Sequence, residues 1–230
     1  MKISIIIPCF NEEKTISKVI DKILNLSEID KEIIIINDGS TDNTKNILDD
    51  LKKKSQIIKT YDHDKNQGKG AALKTGFSKS SGDIILVQDA DLEYDPNDYQ
   101  KLLQPFYKTD AQIVYGSRFM GGDYVRLHYY WHFIANKLLT AMTNIFTNLN
   151  MTDMETGYKV FKKDCLQNIQ LEERGFGVEP ELTIKLAKKK YIFYEVPISY
   201  SGRSYQDGKK ITIKDAFRAL YCIVRYSLYK

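Results

Sequence analysis

The sequence predicts an α/β fold: a mostly parallel sheet flanked by helices, in one domain with a helical C-terminal part. Three observations carry this. Runs such as Ile3–Ile7 and Ile33–Ile36 are apolar throughout and rich in β-branched residues, the pattern of strands buried on both faces. Stretches of helical period lie between them, beginning with Ile16, Val19, Ile20, Ile23 and Leu24. Polar, turn-forming clusters such as Asn37-Asp38-Gly39-Ser40 close the strands.

In chain order, Ile3–Ile7 is the first strand, ended by Pro8 and Asn11, and the first helix follows Thr15. Ile33–Ile36 is the second strand, and a helix bearing Ile47, Leu48 and Leu51 leads to a strand at Ile57–Thr60. Ala71–Ser80 reads as a helix and Asp83–Gln88 as a buried strand. Pro96–Tyr107 reads as a helix with proline in its favoured first turn, and Gln112–Tyr115 as the next strand. Beyond it, His128–Leu149 is one long helix, or two joined near Thr143-Asn144. Lys159–Phe161 is a short strand, Pro180–Lys190 a helix, and Ile192–Val196 a strand stopped by Pro197. Ser201–Lys210 is a polar, Gly-bearing loop expected to be mobile, and Thr212–Tyr229 an amphipathic closing helix. No linker, repeat or low-complexity tract divides the chain. Residues 1–230 therefore read as one domain, sheet-based over 1–117 and more helical over 118–230.

Composition bounds the function. Of 230 residues, 43% are hydrophobic and 28% charged, which excludes a disordered chain. The longest apolar runs are strand-length, short of the ~20 residues of a membrane span. Met1-Lys2 leads directly into a strand, so no signal peptide is expected. Cys9, Cys165 and Cys222 are odd in number and far apart, fitting a reducing cytosol rather than a disulfide frame or zinc site. His63, His128 and His132 share no metal-ligand spacing. The net charge of +4 divides unevenly, −3 over residues 1–117 and +7 over 118–230, with all six arginines in the second part. An acidic front suits a hydrated cation and a basic back suits phosphate or an anionic membrane, though an uneven surface gives the same sums. The basic excess is modest and no helix-turn-helix or zinc signature is present, so nucleic acid is not an expected partner.

In a parallel α/β sheet, ligands collect at the carboxyl ends of the strands. Polar clusters stand there at Pro8–Glu13, Asn37–Asp42 and Gln88–Asp95. In the third, Asp89-Ala90-Asp91 leaves a buried strand with two carboxylates close together, which a hard divalent cation would reconcile. Solvated turn residues ahead of Pro96 are the alternative. Asn66-Gln67-Gly68-Lys69-Gly70 precedes a helix and would present N–H groups and a lysine to an anion. It lacks P-loop spacing, and an ordinary Gly-rich helix entry reads the same way.

Taken together and in order, Ile6–Glu13, Asn37–Asp42, Asn66–Gly70 and Asp89-Ala90-Asp91 resemble the nucleotide-sugar domain of family 2 glycosyltransferases, whose Rossmann-like fold is GT-A. Tyr115–Arg118, Asp153–Lys159, Glu195-Val196-Pro197 and Gly202-Arg203-Ser204 narrow the resemblance to the polyprenyl (dolichyl) phosphate mannosyl- and glucosyltransferase branch. The resemblance implies that Pro8, Asn11 and Glu12 line the nucleotide pocket, with Asp38 on the base or ribose and Gly68 and Lys69 approaching from their loop. It implies that Asp89 and Asp91 bind nucleotide and Mg²⁺ or Mn²⁺, with Glu93 in the metal shell where this branch often has Gln. Arg118 and Arg203 would hold the acceptor phosphate, with Arg126, His128 and Ser204 nearby.

The implied reaction is inverting transfer of mannose or glucose from a GDP-mannose or UDP-glucose type donor to a polyprenyl phosphate, at the cytosolic membrane face. An acceptor phosphate is already ionised near neutral pH and needs no strong base. A hydroxyl of a glycan, glycolipid or protein would need one, for which Asp153 is the candidate, ahead of Glu179 and Glu181. Asp153 equally suits a helix cap, and the two glutamates suit a first helical turn. A non-catalytic nucleotide-sugar-binding protein is a third reading, against which the intact Asp-x-Asp and the arginines stand. Tyr129, Tyr130, Trp131 and Phe133 are core or a membrane-facing surface. With the closing helix they predict peripheral, salt-sensitive attachment to a membrane surface or a membrane partner protein.

Overall fold

Strands β1 (Ile3–Cys9), β2 (Lys31–Asn37), β3 (Ile58–Asp62), β4 (Ile84–Val87), β5 (Ile113–Ser117), β6 (Lys159–Lys162) and β7 (Phe193–Pro197) form one sheet in the order β3-β2-β1-β4-β6-β5-β7. This is seen in a computed structural model that describes residues 1–121, 129–203 and 213–228. Every pairing is parallel except those of β6, which runs against both β4 and β5. Arg126, His128, Ser204, residues 204–210 of the expected mobile loop and the ends of the closing helix lie outside the described residues.

The helices are α1 (Ile16–Leu24), α2 (Thr44–Lys54), α3 (Lys69–Lys79), α4 (Tyr99–Lys108), α5 (Tyr130–Thr147), α6 (Lys163–Leu166), α7 (Val178–Lys188) and α8 (Ile213–Leu228). Side chains alternate across a strand, so each central strand feeds two cores. Ile5, Ile7, Ile33 and Ile35 pack with Ile16 and Ile20 of α1, Leu48 of α2 and Leu102 of α4. Ile6, Ile34 and Ile36 pack on the other face with Leu73 of α3, Leu182 of α7 and Ile223 of α8. The uninterrupted isoleucine runs follow from this two-sided burial.

Three elements differ from expectation, and one alternative is resolved. Pro96 opens a short 3₁₀ turn, Pro96–Asp98, capped by the Asp95 side chain, before α4 begins at Tyr99. Of the two readings of the long helix, the single one holds: Tyr130–Thr147 runs unbroken, with the Thr143 and Thr147 hydroxyls bonded to the carbonyls one turn back. Helix α7 starts at Val178, which seats Pro180 in its first turn. The single turn α6 is too short to show a period and was not expected.

Candidate functional site

The carboxyl ends of β1, β2 and β4 open into a cavity of about 700 Å³ whose far wall comes from α5, α7 and α8. Of the residues singled out, Pro8, Glu12, Asp38, Gly68, Lys69 and Asp89 line it. Asp91, Glu93, Arg118 and Arg203 join them, so both parts of the chain contribute. Asn11 is not in the lining. It adopts φ 52°, and its Oδ1 accepts the Thr41 N–H at 2.8 Å, tying the end of β1 to the loop after β2.

The loop before α3 serves the site differently from the expected anion cradle. The buried Asp38 carboxylate accepts the N–H groups of Gln67 at 3.0 Å and Gly68 at 2.7 Å, and contacts His63 Nδ1 at 2.6 Å. The N–H groups of Gly70 and Ala71 go to the Arg174 carbonyl at 2.6 and 3.2 Å. These donors are therefore engaged within the protein. Gly70 is required here, since a Cβ on it would stand 2.2 Å from the Glu173 carbonyl oxygen.

Lys69 Nζ lies 2.8 Å from Asp89 Oδ1 and 3.0 Å from Glu179 Oε1. Glu179 also receives Lys159 Nζ, itself buried and bonded to the Met154 carbonyl at 2.9 Å. Burial works against the Lys69 charge, but Asp89 and Glu179 outweigh it and hold the pKa above the usual lysine value. Burial would likewise raise Glu179, yet the two lysines keep it below the ordinary carboxylate range. Glu179 thus belongs to the cavity charge network as well as to a first helical turn. Glu181 instead accepts the Glu172 and Glu173 N–H groups at 2.7 and 2.8 Å, away from the lining.

Across the cavity, Arg203 Nη2 bridges Glu12 Oε1 at 2.9 Å and Asp91 Oδ2 at 3.0 Å. Glu93 is turned to the Arg203 N–H at 2.6 Å and the Tyr200 hydroxyl at 2.8 Å, holding the segment that carries Arg203. Among the described residues, no three His, Cys, Asp or Glu side chains converge to hold a metal ion. The donor chemistry of Asp89 and Asp91 fits a hard divalent cation whose remaining ligands come from a bound diphosphate. Glu93 uses one bond from each of its oxygens to hold the 200–203 segment.

Arg118 continues from β5 into the cavity. Its Nε and Nη2 donate to Asp153 Oδ2 and Oδ1, each at 2.7 Å, while Nη1 has no partner among the described residues. The Tyr200 ring lies 5.1 Å below the guanidinium. Asp153 also accepts the Arg118 N–H at 3.1 Å and Asn136 Nδ2 at 3.1 Å, which fills its four acceptor positions. Burial would raise its pKa, but the Arg118 charge and hydrogen bonds prevail and hold it below the usual value. Asp153 caps no helix, and its acceptor positions are all taken by Arg118 and Asn136. It positions Arg118.

Three contributors escaped the sequence reading. Asn136 on α5 couples that helix to Asp153, and Tyr200 braces Arg118 and Glu93. Glu155 lines the cavity, and its Oε1 is sealed from solvent without a hydrogen bond. Its place two residues after Asp153, in a motif already singled out, was the available signal.

The family model described as glycosyl transferase family 2 matches residues 4–170. A dolichol-phosphate mannosyltransferase of Pyrococcus furiosus is 28% identical over 98% of this chain, which spans only 64% of that protein's length. A UDP-N-acetylglucosamine–dolichyl-phosphate N-acetylglucosaminyltransferase of Methanococcus voltae is 28% identical, over 99% of this chain and 97% of the relative. Glucosyl-3-phosphoglycerate synthase of Mycobacterium tuberculosis, solved with Mn²⁺, UDP and phosphoglyceric acid, superposes with a TM-score of 0.75 at 19% identity. That match covers 100% of this chain and 79% of the solved one, and the shared fold is GT-A.

Proposed function

The chain belongs to glycosyl transferase family 2, and from that membership we propose that it transfers a hexose, with inversion, from a nucleotide sugar to a polyprenyl phosphate. One observation carries the acceptor class. A single cavity is lined by Asp89 and Asp91, by Arg118 and Arg203, and by apolar Trp131, Phe133, Leu139, Phe176 and Ala219. Carboxylates suit a donor diphosphate with its cation, arginines an acceptor phosphate, and an apolar wall a lipid chain. The names of the Pyrococcus and Methanococcus relatives point the same way.

In this reading residues 1–117 hold the donor and residues 118–230 the acceptor. Mg²⁺ or Mn²⁺ held by Asp89 and Asp91 would supply positive charge opposite the departing diphosphate. Lys69 adds a fixed positive charge on the same side, effective because it is buried and already oriented. Arg118, locked by Asp153, directs its remaining N–H donors at the acceptor phosphate, and Arg203 exchanges a carboxylate partner for phosphate oxygens. The phosphate is ionised beforehand, so no side chain takes a proton from it. Transfer to a hydroxyl is less well supported, since Asp153, its expected base, is fully engaged.

Among the described residues, no helix is long and apolar enough to cross a membrane. Exposed Trp131, Leu138 and Ile145 on α5, and Phe217, Tyr221 and Leu228 on α8, suit peripheral attachment at the cytosolic face instead. The deciding experiment incubates the protein and Mn²⁺ or Mg²⁺ with UDP-glucose, UDP-N-acetylglucosamine or GDP-mannose and undecaprenyl or dolichyl phosphate. A sugar–phosphate lipid identified by mass spectrometry is expected. Transfer confined to hydroxyl acceptors, or nucleotide-sugar binding without transfer, overturns the assignment.

A further inference from the structure

Glu155 stands apart from the other acids traced in this cavity. Asp89 and Glu179 hold lysine, Asp91 and Glu12 hold Arg203, and Asp153 holds Arg118. Glu155 Oε1 is shut away from solvent and accepts no hydrogen bond. A buried oxygen in that condition is costly to the fold, and the half-buried residue that carries it lines the cavity, where its carboxyl can meet a bound group.

Its position says which partner. Two residues before Glu155, Asp153 grips Arg118, on the acceptor side. Two residues after it, Gly157 packs so tightly on Asp89 that a Cβ would lie 2.3 Å from Asp89 Oδ2, on the donor side. Glu155 thus lies in the chain between residues packed on the proposed acceptor and donor sites, and it lines the cavity they share. Its electrostatic neighbours include the acids Glu179 and Asp153 besides Lys159 and Arg118. An oxygen in that company suits a neutral hydroxyl and repels phosphate.

We propose that Glu155 is a specificity-determining residue for the donor sugar, its half-buried carboxyl on the cavity wall hydrogen-bonding a hexose hydroxyl. The proposal rests on the glycosyltransferase reading above. Burial, reinforced by Glu179, pushes the carboxyl up to about 7. Near neutral pH it is therefore partly protonated and able to donate as well as accept, which matches a pair of adjacent hydroxyls.

Calorimetry with Mn²⁺ present tests this on wild type, Glu155→Gln and Glu155→Ala. The ligands are UDP-glucose, UDP-N-acetylglucosamine, GDP-mannose and the bare nucleotides UDP and GDP. Loss of one such hydrogen bond is worth about tenfold in affinity. Glu155→Ala should lose about that factor on the sugar nucleotide that wild type binds best, while bare-nucleotide affinity moves less than about twofold. Glu155→Gln, which still accepts and donates, should lose less. Equal weakening of bare nucleotides would make the residue structural and overturn the proposal. Unchanged sugar-nucleotide affinity with lost turnover would also overturn it, assigning Glu155 to proton transfer. If wild type binds none of the five ligands, the glycosyltransferase reading itself fails and this proposal falls with it.

Discussion

Arg118 and Asp153 meet fork to fork, Nε on Oδ2 and Nη2 on Oδ1, with both contacts at 2.7 Å and the carboxylate wholly inside the protein. Breaking such a pair leaves a charge stranded where water does not reach it. Asp153→Ala is expected to cost about 3–5 kcal/mol in urea unfolding. Asp153→Asn, which keeps the shape, should cost less. Because the folded Asp153 pKa is depressed, this stabilisation is present above the unfolded carboxylate pKa and is lost as pH falls through the folded value. A loss under about 1 kcal/mol for the alanine variant would place the pair with ordinary surface bridges.

Asp91 and Arg203 are also 3.0 Å apart, but both side chains keep some exposure, 22% and 17%. Asp91→Ala should therefore change stability by only about 0–1 kcal/mol. Its turnover should nevertheless vanish, since the variant loses a proposed ligand of the cation. Wild type in EDTA should behave likewise. Full turnover in either condition would sink the metal assignment.

Parts of this were readable in advance for a physical reason. A strand buried on both faces leaves no polar residue in its run, so Ile33–Ile36 announces itself. Asp89 and Asp91 follow such a strand, which places them at a ligand-collecting sheet edge. What local pattern does not contain is the partner of each group. Asp153 and Glu155 sit two residues apart with opposite fates, because Arg118 reaches one of them from 35 residues away and nothing reaches Oε1 of the other. The N–H donors before α3 looked available for an anion until the Arg174 carbonyl, from a distant turn, took two of them. The direction of β6 is set by the neighbours it joins rather than by its own residues.

Glu155 makes stability depend on pH in the opposite sense from Asp153. Burial pushes its carboxyl up to about 7 in the folded protein, above the ordinary glutamate value. Between those values the folded state binds more protons than the unfolded state, so stability falls as pH rises through this window. The full effect is on the order of 3 kcal/mol, reached above pH 7. Unfolding by urea at pH 4, 6 and 8 should show wild type losing ground to Glu155→Gln as pH rises. Parallel pH profiles for the two proteins would contradict the buried environment described for this carboxyl.

Gly70 tests the joint between the Lys69 loop and the 173–175 turn. Its N–H reaches the Arg174 carbonyl at 2.6 Å, and an added Cβ would collide with the Glu173 carbonyl oxygen. Gly70→Ala must push the two segments apart, at a cost of about 1–3 kcal/mol. Lys69 moves with its loop, so nucleotide-sugar affinity should drop with the melting temperature. An unchanged melt together with unchanged affinity would show that the joint yields easily.

The proposed attachment to a membrane would rest on two helices that pack together, α5 and α8. Each has an outward apolar stripe at helical spacing. Ile134, Leu138 and Ile145 extend that of α5 from Trp131, and Phe217, Tyr221, Val224 and Leu228 form that of α8. The opposite face of α8, with Ala219, Cys222, Ile223 and Tyr226, is buried in the domain. Packing on the domain thus accounts for only half of the apolar residues in the closing helix. The basic residues contribute less than their number suggests. Arg218 pairs with Glu173 at 2.8 Å and Arg225 with Glu172 at 2.9 Å, while anionic lipid repays about 1 kcal/mol per basic residue near its surface. Binding should therefore depend chiefly on apolar insertion. In liposome sedimentation the protein should pellet with anionic vesicles at low salt, keep most of that binding at high salt, and bind neutral vesicles more weakly. Trp131 and Phe217 are 76% and 68% exposed, so Trp131→Ser with Phe217→Ser should abolish pelleting while leaving the melt unchanged. If wild type stays in the supernatant with anionic vesicles at both salt concentrations, a membrane partner protein or a soluble acceptor becomes the better account of these stripes.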